Sequence, residues 1–152
     1  MGSIANISGQ RGESIACNIL NNLGFSKLTN KKFSEENVEI ISYTQQFPYI
    51  SIYGSEKSKL DILINIYGLI LAIEVKVKNV SGSVDEKFPY FFENALMQYP
   101  GNDAGILLIG DKMRKGAVDW LHQKSKLSEK KIHIICGENE FKNIILNYMN
   151  KL

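Results

Sequence analysis

With 152 residues, 44% of them hydrophobic and 22% charged, the chain has the size and apolar content of one compact domain spanning residues 1–152. Eighteen Lys and Arg against sixteen Asp and Glu leave a formal charge of +2, too near balance for total charge to mark a nucleic-acid binder, so any basic face is local. Cys17 and Cys136 lie far apart without a CxxC or Cys/His cluster, which excludes a disulfide framework and a zinc site and leaves two small buried hydrophobes; no apolar run approaches a membrane span, and a cytoplasmic protein is expected.

Between residues 9 and 23 the apolar positions Ile15, Ala16, Ile19, Leu20 and Leu23 form one stripe of a helix, and Gly24 supplies its stop. Residues 38–53 are rich in β-branched and aromatic side chains interrupted by Pro48, which predicts two short strands joined by a turn or bulge. A polar loop at 54–59 precedes residues 60–78, two strand-like runs about Tyr67-Gly68 that read as a hairpin. A Gly/Ser loop at 79–87 leads to a helix at 90–99, ended by Pro100-Gly101. Residues 105–110 then read as a buried strand, 115–126 as a helix, 131–136 as a strand and 138–149 as a closing helix. Together these predict an α/β domain of three layers, a mixed sheet flanked by helices.

The hairpin carries the chemistry. Alternation puts Ile62, Ile64, Ile66, Leu69, Leu71, Ile73, Val75 and Val77 on one apolar face, with Asp61, Glu74, Lys76 and Lys78 on the other. A turn centred on Tyr67-Gly68 sets Asp61 opposite Glu74. Cross-strand neighbours have Cβ atoms only ~4.5–5.5 Å apart, so the two carboxylates repel unless one protonates or a cation lies between them. A divalent metal resolves the conflict, and the Lys76 ammonium on the same face can orient a water or offset charge on a phosphate.

An Asp on one strand and Glu-Val-Lys on the next, after a first helix bearing Arg11-Gly12-Glu13, resembles the PD-(D/E)XK nuclease superfamily. This is the restriction-endonuclease-like fold of many restriction enzymes, of homing endonucleases and of archaeal Holliday junction resolvases. The order of elements carries the resemblance over nearly the whole chain from residue 9, with Leu60 standing where the pattern has Pro. It implies that Asp61 and Glu74 bind Mg²⁺, with Mn²⁺ able to substitute, that Lys76 assists the attacking water, and that Glu13 completes the metal site. Gln98 resembles a glutamine that some branches place near the active site. Plainer readings stand beside these: Glu13 as a first-turn acid complementing the helix dipole, Gln98 as an ordinary surface residue, and Glu74-Val75-Lys76 as the solvated face of a strand.

Residues 112–131 are locally basic, and Lys112, Arg114 and Lys115 are candidate phosphate contacts. Lys59 and Lys78 flank the carboxylate pair and are better placed for that role; Lys130 and Lys131 abut a buried strand. Other chemistries lack support. His122 and His133 belong to no short metal-ligand motif, residues 110–116 lack the Gly-Lys-Ser/Thr of a phosphate loop, and neither GxGxxG nor GxSxG occurs. Trp120 reads as core.

The expected activity is that of a Mg²⁺-dependent DNA endonuclease of restriction, homing or junction-resolving type. A nuclease toxin acting on DNA or tRNA, or a catalytically silent module binding nucleic acid or protein, is the alternative. One site per chain cannot cut both strands of a duplex at once, so a homodimer or higher symmetric oligomer is expected. Any sequence reading would fall to loops at 26–37, 54–59 and 79–89.

Overall fold

The computed structural model describes residues 4–35, 40–78 and 84–151. In chain order its elements are α1 (Ile4–Asn22), β1 (Ser26–Lys27), α2 (Asn30–Glu35), β2 (Ile41–Ile50), β3 (Lys57–Ile66), β4 (Leu69–Val77), a 3₁₀ turn (Val84–Lys87), α3 (Phe88–Met97), β5 (Asp103–Ile109), α4 (Lys115–Leu127), β6 (Ile132–Cys136) and α5 (Glu138–Asn150). Parts of the expected loops, residues 36–39 and 79–83, lie outside the described residues.

The strands form one sheet in the order β1-β2-β3-β4-β5-β6. Strands β2, β3 and β4 pair antiparallel; β1 joins β2, β5 joins β4 and β6 joins β5 in parallel. This is the expected α/β architecture, a mixed sheet with helices on both faces. Against one face, α1 and α5 bury Ala16, Leu20, Phe141 and Ile145 on Ile62, Ile64, Ile66, Leu71 and Ile73. Against the other, α2, α3 and α4 bury Phe33, Phe88, Phe92, Ala95 and Leu121 on Leu60, Leu63, Ala72, Ile106 and Leu108.

Local chemistry explains most element ends. Gly24, at φ +94°, terminates α1 in a left-handed cap with the Phe25 N–H donating to the Leu20 carbonyl at 3.0 Å. Tyr67 and Gly68 both have positive φ, as the tightest hairpin turn requires, and the Asn65 Oδ1 accepts the Gly68 N–H at 2.7 Å. The hairpin register is the expected one from Ile66↔Leu69 through Ile62↔Ile73.

Several elements differ from expectation. Residues 41–50 form one strand rather than two, with Pro48 inside the ladder opposite Lys59. Pro48 is tolerated because β1 pairs only with Ser42 and Tyr43, leaving that stretch of β2 an edge where no further N–H is needed. The irregularity falls instead at Gln46 (φ +55°), across from Asp61. Residues 26–35, expected as loop, hold β1 and α2. Cys17 is buried, but Cys136 is exposed at the end of β6 rather than buried. Among the described residues no helix is long and apolar enough to cross a membrane.

A buried ion cluster ties the 3₁₀ turn to the sheet. The Asp85 carboxylate, fully enclosed, accepts from Lys78 Nζ at 2.8 Å and from the Arg114 backbone N–H and Nη2, each at 2.9 Å. The Arg114 guanidinium, then Lys78 and the backbone N–H, hold the Asp85 carboxyl well below the usual range. The arrangement joins the end of β4 to the start of α4.

Gly12 sets the distance between α1 and β4. A Cβ at this position would stand 2.5 Å from Val77 Cγ2 and 2.9 Å from Val75 Cγ1, so only glycine lets the helix settle against the strand. At an exposed helix position, Gly→Ala gains about 1 kcal/mol. For Gly12→Ala the overpacking term of about 1–3 kcal/mol opposes that gain. A net loss of stability is expected in urea unfolding.

Candidate active site

The site lies where two strands part. Strands β3 and β4 pair as far as Ile62↔Ile73; beyond that point β3 stays with β2 while β4 pairs with β5 through Glu74↔Ile106 and Lys76↔Leu108. At the fork the Asp61 Oδ2 accepts the Val75 N–H at 2.7 Å. A side-chain oxygen thus satisfies a backbone donor as the ladder opens, and Asp61 is held beside Glu74.

Glu74 is buried and both its oxygens are engaged. Oε1 faces Lys76 Nζ at 2.9 Å, and Oε2 accepts the Tyr99 hydroxyl at 3.2 Å. The same ammonium stands 3.9 Å above the centre of the Phe91 ring, a cation–π contact that fixes its direction. The Lys76 side chain keeps 20% exposure against 9% for Glu74, so the ammonium is the more accessible of the two.

Glu13 approaches from α1, where Gly12 brings the helix close, and its Oε1 accepts the Gln46 Nε2 amide at 2.5 Å. Asp61 sits beside both other acids. Burial, countered by the Val75 N–H and Lys76 and reinforced by Glu13, pushes the Asp61 carboxyl up to about 6. Burial also pushes Glu74 up to about 7, with Lys76 pulling it down and Asp61 adding to the rise. Glu13 is raised by burial as well, against the lowering effect of its bonds to Asp61 and Gln46. The Tyr99 phenol, buried next to Glu74, is raised far enough to remain a donor.

Two adjacent carboxylates pushed toward protonation by burial and by each other are a donor set that fits a hard divalent cation, which would let both ionise. Among the described residues, however, no three His, Cys, Asp or Glu side chains converge as a ready-made cage. The fit rests on Asp61 and Glu74, with Glu13 as a neighbour.

The structure therefore brings together Glu13, Asp61, Glu74 and Lys76. It does not bring Gln98 among them: that amide donates to the Ser51 carbonyl at 3.2 Å, tying the end of α3 to the β2–β3 connection. The next residue, Tyr99, makes the contact instead. Lys130 supports it, its Nζ donating to the carbonyls of Ala95 at 2.8 Å and Tyr99 at 3.1 Å.

The expected phosphate contacts also need revision. Lys78 is buried on Asp85, and Arg114 is committed to Asp85 and Glu86, so neither presents an unopposed charge. Their neutralisation comes from a carboxylate distant in sequence from Arg114, which local charge counting misses. Lys115 pairs with Asp119 one helical turn on. Lys59 and Lys112 are exposed and make no ion pair among the described residues.

Reading the sequence alone misses Tyr99 and Gln46. For Gln46 a signal exists: the polar pair Gln45-Gln46 breaks the alternation of a strand that is otherwise regular. For Tyr99 the signal is weaker, a phenol at the end of an apolar helix.

The model of the PD-(D/E)XK nuclease superfamily domain matches residues 4–145. No curated protein matches the sequence. Among solved structures, a crystal structure of the Vibrio cholerae protein VC1899 is similar, with a TM-score of 0.50 and 13% identity over 92% of this chain and 33% of that one. At that identity the likeness shows the fold. The chain spans about a third of the length of that protein.

The raised carboxyls predict a pH dependence. Between the ordinary value near 4 and their folded values of about 6 and 7, the folded protein holds more protons on Asp61 and Glu74 than the unfolded chain does. Stability of the metal-free protein is expected to fall as pH rises through that window. Melting in chelator from pH 5 to 8 should show the decline, and Glu74→Gln should flatten it; an equal decline in the variant would place its cause elsewhere.

Proposed function

The chain belongs to the PD-(D/E)XK nuclease superfamily, and on that premise we propose that it is a metal-dependent endonuclease that hydrolyses DNA phosphodiester bonds at the β3–β4 fork. The observation that carries this reading is the half-buried Asp61 beside the buried Glu74, with Lys76 Nζ 2.9 Å from Glu74.

Asp61 and Glu74 would hold Mg²⁺ or Mn²⁺, with Glu13 supporting from α1. The bound ion would supply charge neutralisation at the scissile phosphate and favour ionised carboxylates over protonated ones. Lys76, partly exposed to solvent and braced on Phe91, would orient the attacking water and offset the negative charge that gathers on the phosphate. Tyr99 would keep the second oxygen of Glu74 fixed, so that this carboxylate presents one geometry throughout. Lys59 and Lys112, exposed and in no ion pair among the described residues, would be the contacts for the nucleic-acid backbone.

Each chain offers one such fork, so cutting a duplex through both strands requires two copies, and a homodimer or higher symmetric oligomer is the assembly that fits. Restriction, homing and junction-resolving enzymes share these needs, and the choice among them lies in the substrate tested.

The experiment is cleavage of supercoiled plasmid, branched DNA and tRNA with Mg²⁺ or Mn²⁺, comparing wild type with Asp61→Asn, Glu74→Ala and Lys76→Ala. Loss of at least a hundredfold in each variant is expected, about 3 kcal/mol of transition-state stabilisation. Discrete fragments would mark sequence reading and junction-confined nicks a resolvase; cleavage of tRNA but not DNA would mark an RNA-directed toxin. A wild type inert on all three would favour a silent binding module.

The same reading predicts a metal response. At pH 8 a saturating divalent ion should raise the melting temperature of wild type but not of Asp61→Asn, because only the folded protein holds the paired carboxylates.

A further inference from the structure

Gln46 is unusual in the chain. Besides Tyr67, which the hairpin turn accounts for, it is the one non-glycine among the described residues with positive φ, and it lies inside a strand where no turn demands it. A conformation that side chains disfavour persists only when its surroundings impose it, and such positions gather at functional sites.

Its consequence for the sheet is specific. The pairs Gln45↔Ile62 and Phe47↔Leu60 both form, while Gln46 and Asp61, which lie between them, do not pair. Across this step the two strands exchange faces together: Tyr43 and Ile62 belong to the core under α1 and α5, whereas Phe47 and Leu60 belong to the opposite one. No residue is inserted. The strands rotate in place, at the level where Asp61 enters the site.

The rotated residue is held from both ends. Asn30, at the start of α2, donates from Nδ2 to the Gln46 carbonyl at 3.2 Å and accepts the Thr44 hydroxyl on Oδ1 at 2.5 Å. The Gln46 side chain then donates its amide to Glu13 at 2.5 Å. The partner must be a donor: Glu13 already stands beside Asp61 and feels Glu74, so another acid would be repelled and an aliphatic side chain would leave Glu13 unsupported.

We propose that Gln46 is a positioning residue, whose left-handed place in β2 lets its amide hold the Glu13 carboxylate against Asp61 and so brings α1 into the ion-binding site. The inference rests on the metal-dependent reading above and assigns a role to a residue outside the family's acid and lysine pattern. Gln46 acts through Glu13.

The test compares Mn²⁺ binding by titration calorimetry and thermal melting in wild type, Gln46→Ala, Gln46→Gly, Glu13→Ala and the double variant Gln46→Ala/Glu13→Ala, alongside plasmid cleavage. Partners that orient a metal ligand cost about 10–100-fold in affinity when removed. Gln46→Ala and Gln46→Gly are each expected to weaken Mn²⁺ binding about tenfold. Gln46→Gly should nonetheless melt at or above wild type, because glycine takes this φ freely. That opposition of stability and affinity separates positioning from structural damage. In the Glu13→Ala background, Gln46→Ala should have no further effect.

Mn²⁺ affinity within twofold of wild type in both Gln46 variants, with wild type binding normally, would overturn the inference and leave the nuclease reading intact. So would an equal loss from Gln46→Ala with and without Glu13. A wild type that neither binds Mn²⁺ nor cuts nucleic acid would overturn the nuclease reading, and this inference with it.

Discussion

The Val75 N–H donating to the Asp61 carboxylate is the interaction on which the site depends. A sheet whose strands diverge strands backbone donors at the point of divergence, and each such group, buried, must find another partner. Here that partner is an acid side chain, so opening the ladder and placing a carboxylate next to Glu74 are a single event. The fork would be costly with an apolar residue at position 61. Conversely, an unbroken β3–β4 ladder would leave Asp61 on a flat pleated surface with its neighbour's oxygens on display.

The remaining parts converge on that fork from both faces of the sheet. From one side α1 approaches closely because Gly12 has no side chain to hold it off Val75 and Val77. From the other, α3 delivers Phe91 beneath Lys76 and the chain just past its C-terminus sets Tyr99 onto Glu74, with Lys130 closing the carbonyls of Ala95 and Tyr99. Buried acids are expensive when charged, and the pairing with Lys76 offsets this cost only in part, as the upward displacement of Asp61 and Glu74 reports. The fold holds two acids in a state that a cation relieves. That stored mismatch is what the geometry offers to chemistry.

Much of this was legible in the sequence, for a physical reason. The hairpin register follows from the period-two pattern of Ile, Leu and Val and from Tyr67-Gly68, because a slip of one residue would move every side chain of the strand to the opposite face. Once the register is set, the proximity of Asp61 and Glu74 follows, although the two lie one step beyond the last paired residues, Ile62 and Ile73, and are not themselves a ladder pair. The rest depends on contacts between distant positions. Lys78 and Arg114 read as exposed cations until Asp85 is placed between them. The face exchange at Gln46 and Asp61 preserves the residue count, so no insertion marks it, and β1 and α2 are too short for a periodic signal to develop. Gln98 and Tyr99 differ by one position at a helix end, where side-chain direction depends on how the helix unwinds and not on spacing.

The Asp85 cluster has a consequence for how such a protein can change over generations. Lys78 at the end of β4 and Asp85 before α3 are clamped together at 2.8 Å, so both ends of the chain segment between them are fixed independently of what that segment contains. Lengthening a segment with anchored ends costs only closure entropy, about 0.6 kcal/mol for each doubling. The stretch between these two anchors, next to the β3–β4 fork, is thus a place where an insertion would carry a small thermodynamic cost. Selection could graft new recognition elements there while the sheet, and the acids at its fork, stay as they are.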